Sequence, residues 1–182
     1  CLICGVGKYQ HFQNCQLCST GKYSFEVGVI ACVDCPAGYV QEQVGDTSCD
    51  ACAKGKYIGV RGGFSCKFCD KGKYTNMSKS ISCSICPAGF VQPMTGLYYC
   101  EKCKLGQESN EEVHTCGDCI EGTYGNKEGL ADCYICPEGW IQGDFGKTRC
   151  FECLKGKHAN KDLKATTCLH CPSGWYNNET EQ

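Results

Sequence analysis

The apolar positions of this chain follow no helical rhythm, because glycine or cysteine interrupts every stretch before a 3.6-residue period can run beyond a few residues. What returns instead is a short extended segment with a turn at each end. The stretch CPAGYVQ at 35–41 comes back as CPAGFVQ at 86–92 and as CPEGWIQ at 136–142. Leu, Ile, Val and Phe are spread too thinly to fill a shared core. The pattern predicts a small disulfide-rich repeat protein, an elongated rod of about eleven stacked short β-hairpin units with very little helix.

The cysteines set the period. All 22 belong to C-x2-C pairs, and the pairs begin at residues 1, 15, 32, 49, 66, 83, 100, 116, 133, 150 and 168. Residues 1–182 therefore read as one continuous array of repeats about 17 residues long. A glycine stands three positions after the second cysteine of every pair: Gly7, Gly21, Gly38, Gly55, Gly72, Gly89, Gly106, Gly122, Gly139, Gly156 and Gly174. Such regularity predicts a positive φ or a close approach that excludes a Cβ. An aromatic follows two positions later (Tyr9, Tyr23, Tyr57, Tyr74, Tyr124) or directly (Tyr39, Phe90, Trp140, Trp175), except after Gly106 and Gly156, where weaker packing is expected.

A second glycine lies four residues before the next cysteine at Gly28, Gly45, Gly62, Gly96, Gly129 and Gly146. The repeat thus reads C-x2-C-x2-G-x-Y-x4-G-x3-C. Proline in every third repeat, after Cys35, Cys86 and Cys136, is expected to make one turn in three different. At about four residues of advance per hairpin the array would be on the order of 110 to 150 Å long.

Composition narrows the chemistry. Cysteine is about 12% of the chain, a level that points to a disulfide scaffold. Eighteen Lys and Arg against twenty Asp and Glu provide no basic field for nucleic acid or anionic lipid. No apolar run approaches the roughly 20 residues that cross a bilayer, so no direct membrane insertion is expected in this segment. A chain opening at Cys1 without a leader-like stretch reads as processed or as part of something longer.

Three roles fit C-x2-C pairs. The first is a disulfide ladder joining Cys4 to Cys15, Cys18 to Cys32, Cys35 to Cys49, Cys52 to Cys66, Cys69 to Cys83, Cys86 to Cys100, Cys103 to Cys116, Cys119 to Cys133, Cys136 to Cys150 and Cys153 to Cys168. Each bond would close a small ring worth about 3 kcal/mol in the chain-entropy model. The second is zinc held by four thiolates, which would consume pairs two at a time although eleven is odd, and which gives no reason for the glycine and the aromatic. The third is thiol redox catalysis, which needs one privileged pair at a helix start. The ladder accounts for most of the pattern. Pairing within each C-x2-C or across alternate repeats stays open on sequence alone.

The repeat resembles the ephrin-receptor-like cysteine-rich repeats of extracellular proteins. It is also similar to the single-disulfide modules of tumour-necrosis-factor receptors, whose C-x2-G-x-Y start matches Cys18 to Tyr23 and Cys69 to Tyr74. Arrays of this kind also look like ciliate immobilisation antigens and C-x2-C-rich surface proteins of parasitic protists. The resemblance implies an extracellular or cell-surface location, a rod of disulfide-closed hairpins and no catalysis. It implies no particular ligand and no cofactor.

Other candidate sites are few. The sequons at Asn76 and Asn178 are expected to carry N-linked glycans on a secretory route. His11, His114, His158 and His170 stand alone, without the partners catalysis needs, and read as solvated or packing imidazoles. The Gly-Lys-Tyr copies are too short for a phosphate loop. Their Tyr and Lys could form a carbohydrate-binding stripe, but rings packed on the neighbouring disulfide are the simpler reading.

The ladder leaves Cys1 and Cys171 over, so Cys171 is expected to pair with a cysteine outside this copy, in flanking repeats or in another copy placed head to tail. The function expected is a non-enzymatic structural rod, coat, stalk or fibre. The alternative is a ligand-binding or adhesion ectodomain, with its site in the deviant region Cys100–Glu128 around Glu108, Glu111 and Glu112.

Overall fold

The computed structural model describes residues 3–159 and 164–176. Among these residues there is no helix. Twenty short strands form ten antiparallel hairpins, numbered in chain order from the one that begins after Cys4; each begins after the second cysteine of one C-x2-C pair and returns through the next pair.

Hairpin 2 shows the design. Lys22–Tyr23 pairs with Val33–Asp34, in the register Lys22↔Asp34 and Tyr23↔Val33. The return strand is therefore the pair of residues inside the next C-x2-C. Cys35 then donates its N–H to the Gly21 carbonyl at 2.8 Å and opens the following hairpin. A C-x2-C pair is thus a joint, whose first cysteine closes one hairpin while its second begins the next. Nine disulfides with Cα separations of 5.4–5.8 Å follow this rule, from Cys4–Cys15 to Cys153–Cys168. Cys86 and Cys100 are likewise disulfide-bonded.

Two hairpins depart from the two-residue strand. Lys8–His11 pairs with Asn14–Leu17, and Gln107–Asn110 pairs with Thr115–Asp118, over four residues each. These are also the two shortest rings, with separations of 11 and 13 between their cysteines. A shorter ring leaves no room for the second-glycine turn, so the strands meet in a tight reversal where Phe12 and His114 take φ of 54° and 56°. Ladder length does not follow the aromatic, since hairpin 1 keeps Tyr9 with a four-residue ladder and the hairpin after Gly156, which lacks the aromatic, pairs over two residues.

The proline repeats correct an expectation. Tyr39 N–H donates to the Pro36 carbonyl at 3.0 Å, as Lys22 does to Ser19 and Lys56 to Ala53. All three turns carry a glycine in the left-handed region at the third position, with φ of 85° at Gly38, 77° at Gly21 and 76° at Gly55. Proline occupies the first position, where no N–H is needed, so the turn is unchanged.

The chain forms two compact bodies, one of Cys1–Ile85 with Met94–Cys100 and one of Cys86–Pro93 with Glu101–Gln182. Within each, successive hairpins are joined by main-chain hydrogen bonds. Between hairpins 2 and 3, Gly21 N–H donates to the Gln41 carbonyl (2.8 Å), Ser24 N–H to Asp46 (3.2 Å), and Gly45 N–H returns to Cys18 (2.7 Å). The same three bonds recur between hairpins 1 and 2, 3 and 4, and 4 and 5 in the first body. In the second body they recur between 7 and 8 and between 8 and 9. Lys79 stands where most hairpins have the second glycine, takes φ of 63° and still donates to Cys52.

Contact also reaches two hairpins ahead. A Cβ on Gly7, Gly21 or Gly55 would overlap the carbonyl oxygen of Gly45, Gly62 or Gly96 respectively. Gly89 and Gly106 meet Gly129 and Gly146 in the same way. The recurring glycine thus answers two demands at once, a left-handed backbone and a neighbour that leaves no space for a side chain.

Sulfur and main chain supply most of the interior. Cys18, Cys35, Cys52, Cys69, Cys103, Cys119 and Cys153 are fully buried, whereas large apolar side chains such as Ile30, Phe64 and Ile85 lie exposed. Val40, Ile58 and Cys52 form the one apolar cluster among the described residues, with Cys66 against it.

Candidate functional site

From hairpin 2 onward the position three residues after the recurring glycine points inward, whereas Gln10 of hairpin 1 is exposed. In hairpins 2 to 6 it holds Ser24, Gln41, Ile58, Thr75 and Gln92, and in hairpins 8 to 10 Gly125, Gln142 and Ala159, all of them buried; Ser109 of hairpin 7 is half-buried. Its carbonyl accepts the N–H of the preceding hairpin's glycine, as Ser24 does from Gly7 and Gln142 from Gly122. In the proline repeats the slot holds glutamine. Gln41 Nε2 donates to the Ser48 carbonyl (2.6 Å) and to Asp46 Oδ2 (3.0 Å), and its Oε1 accepts from Gln43 N–H (2.9 Å). Gln142 repeats this with Arg149 and Asp144 at 2.6 and 3.0 Å. The glutamine side chain therefore braces the loop of its own hairpin, which explains why the seven-residue stretch ends in Gln. The recurrence at 41, 92 and 142 is visible in the sequence; its inward direction is not.

The acidic residues singled out by sequence separate in space. Glu108 is half-buried and its Oε2 accepts the N–H of Cys133 in the next hairpin at 2.7 Å. Asn110 Oδ1 accepts from Glu112 and Val113 N–H and shapes the turn, while the side chains of Glu111 and Glu112 are exposed. One carboxylate of the three is thus committed to holding hairpins 7 and 8 together. Asp46, in an open hollow with Glu42 and Asp50, is similarly engaged by Gln41 and by Thr47 N–H (2.8 Å). Among the described residues no three His, Cys, Asp or Glu converge to hold a metal ion.

The remaining candidates lie apart. His11 packs edge-on to Phe12 at 4.5 Å; His114 sits in the tight turn, and His158 and His170 fall on the two strands of hairpin 10, one residue out of register. Asn76 is exposed in the loop of hairpin 5. Cys171 is half-buried and carries no disulfide. Cys1 and Asn178 lie outside the described residues.

Lysines stand over some of the rings: Lys56 Nζ is 4.6 Å from the Phe68 centroid and Lys79 Nζ 5.4 Å from that of Tyr39. Across hairpin 2, Lys22 Nζ donates to Asp34 Oδ1 at 2.6 Å. That hydrogen bond, and then the ammonium charge itself, hold the Asp34 carboxyl below its ordinary range.

Cysteine-closed hairpins joined through their main chains define a disulfide-rich β-hairpin repeat protein. The sequence model of a family described as "Tyrosine-protein kinase ephrin type A/B receptor-like" matches residues 21–63, from the glycine of hairpin 2 into the loop of hairpin 4, so this segment is similar to a cysteine-rich receptor-like repeat. No curated protein matches the chain.

Proposed function

We propose that the chain is a non-enzymatic structural component of an extracellular or cell-surface coat, stalk or filament. The junction carries this reading. Three main-chain bonds recur between successive hairpins and make each hairpin a seat for the next, an arrangement suited to spanning distance and not to enclosing a substrate. The many disulfides suit an oxidising compartment. Asn76, exposed in its loop, is expected to carry a glycan there, and Cys171 to bond a cysteine of flanking repeats or of another copy.

Electron microscopy of the purified, oxidised protein tests the reading: assemblies longer than one chain support it, and single particles at every concentration overturn it. The receptor-like match at residues 21–63 favours a second reading, an adhesion or ligand-binding ectodomain. In that case the chain stays monomeric and captures a distinct partner.

A further inference from the structure

The two bodies carry opposite charge. The first has nine Lys and Arg against six Asp and Glu, the second nine against fourteen. Part of this difference is concentrated at one structural position, the second residue of the turn that opens each hairpin. In hairpins 4 and 5 it is Lys54 and Lys71, in the turns closed by Lys56 N–H to Ala53 and Lys73 N–H to Asp70, both at 3.0 Å. In hairpins 8 and 9 it is Glu121 and Glu138, in the turns closed by Thr123 N–H to Ile120 (3.0 Å) and Trp140 N–H to Pro137 (3.1 Å).

All four side chains stand exposed at the outward corner of the same turn, each just before a left-handed glycine. None belongs to an ion pair among the described residues. Lys56 and Lys73 close the turns of the first row and add positive charge, which Asp70 at the start of the Lys71 turn partly offsets; Asp118 precedes the second row in sequence, and Lys155 at the next corner ends it.

We propose that the Lys54–Lys71 row of one copy docks on the Glu121–Glu138 row of a second copy of this chain. Both rows step by one hairpin across a junction made by the same three main-chain bonds, so successive corners are set apart alike in the two rows. Setting either row against its own copy in a second molecule would place like charges opposite each other. Charge therefore selects unlike bodies as partners and rejects like ones. The inference rests on the structural reading above and names the lateral surface such an assembly uses.

The test is sedimentation of the oxidised full chain over a salt series, with K54E/K71E and E121K/E138K variants whose disulfide content is checked by non-reducing mass spectrometry. The unaltered chain is expected to self-associate at roughly 20 mM salt, about tenfold more tightly than at roughly 300 mM. Each double variant alone should stay monomeric, and an equimolar mixture of the two should associate again. Association that ignores both reversals, or a mixture that remains monomeric, overturns the proposal. Filaments that persist at high salt and in both variants would leave the structural reading standing and refute this surface; a monomer under every condition would refute both.

Discussion

Gly21 packs against the carbonyl oxygen of Gly62, two hairpins further along the chain, at a point where a Cβ would overlap that oxygen. Gly156 has the same left-handed backbone, φ 77° in both, but nothing within 4 Å of the place its Cβ would occupy. The pair separates backbone strain from close approach. Gly156→Ala should cost about 1–2 kcal/mol through φ alone. Gly21→Ala adds displacement of a main-chain neighbour and should cost about 2–5 kcal/mol. Denaturant melts of the two variants with disulfides intact will show the difference, and equal losses would mean that the contact with Gly62 is irrelevant.

Gln41→Ala should destabilise by about 1–3 kcal/mol, because the carbonyl of Ser48 loses a buried donor and Gln43 N–H loses its acceptor. Amide exchange reads this locally. Protection at Gln43 should fall while Asp34, in the preceding hairpin, keeps its own.

Glu108 bonds across a junction through its side chain. Replacing it by alanine should lower stability by about 1–2 kcal/mol and accelerate exchange of the Cys133 amide. Unchanged exchange there would show that the carboxylate is dispensable to the joint.

The Asp34 carboxyl is held below its ordinary value of 3.8 by the hydrogen bond from Lys22. A lowered folded-state value means that the pair contributes above the unfolded value and ceases to contribute as pH falls through the folded one. Lys22→Met should return Asp34 toward 3.8 in a carbon-detected NMR titration. Both side chains are nearly half exposed, so the accompanying change in acid stability should be small.

Much of the fold was legible because it is written in residues with unusual backbones. Cysteine spacing limited the partners, and the structure has the adjacent-pair connectivity among those the spacing left open, as at Cys18–Cys32. The glycine at position 21 announced a positive φ. Its second reason, the carbonyl of Gly62, was hidden because contact two hairpins away leaves no mark on spacing. Proline misled: at Pro36 it sits where the turn needs only a carbonyl, and the distinctive residue of that repeat is the buried Gln41. Lys79 concealed a left-handed site behind an ordinary side chain. Glu108 looked like a free carboxylate because its acceptor role depends on where Cys133 falls in the next hairpin.

The hairpin junction is made by peptide N–H and carbonyl groups, which every residue except proline possesses. Most side chains between the glycines and cysteines, the bracing Gln41 and Glu108 apart, can therefore change so long as the punctuation survives. A whole repeat gained or lost in frame would leave its new neighbours facing the same donors and acceptors as before. Such a chain can alter its length by recombination and its outer face by substitution, each without disturbing the other, and a lineage that had to vary its exterior would find both routes open.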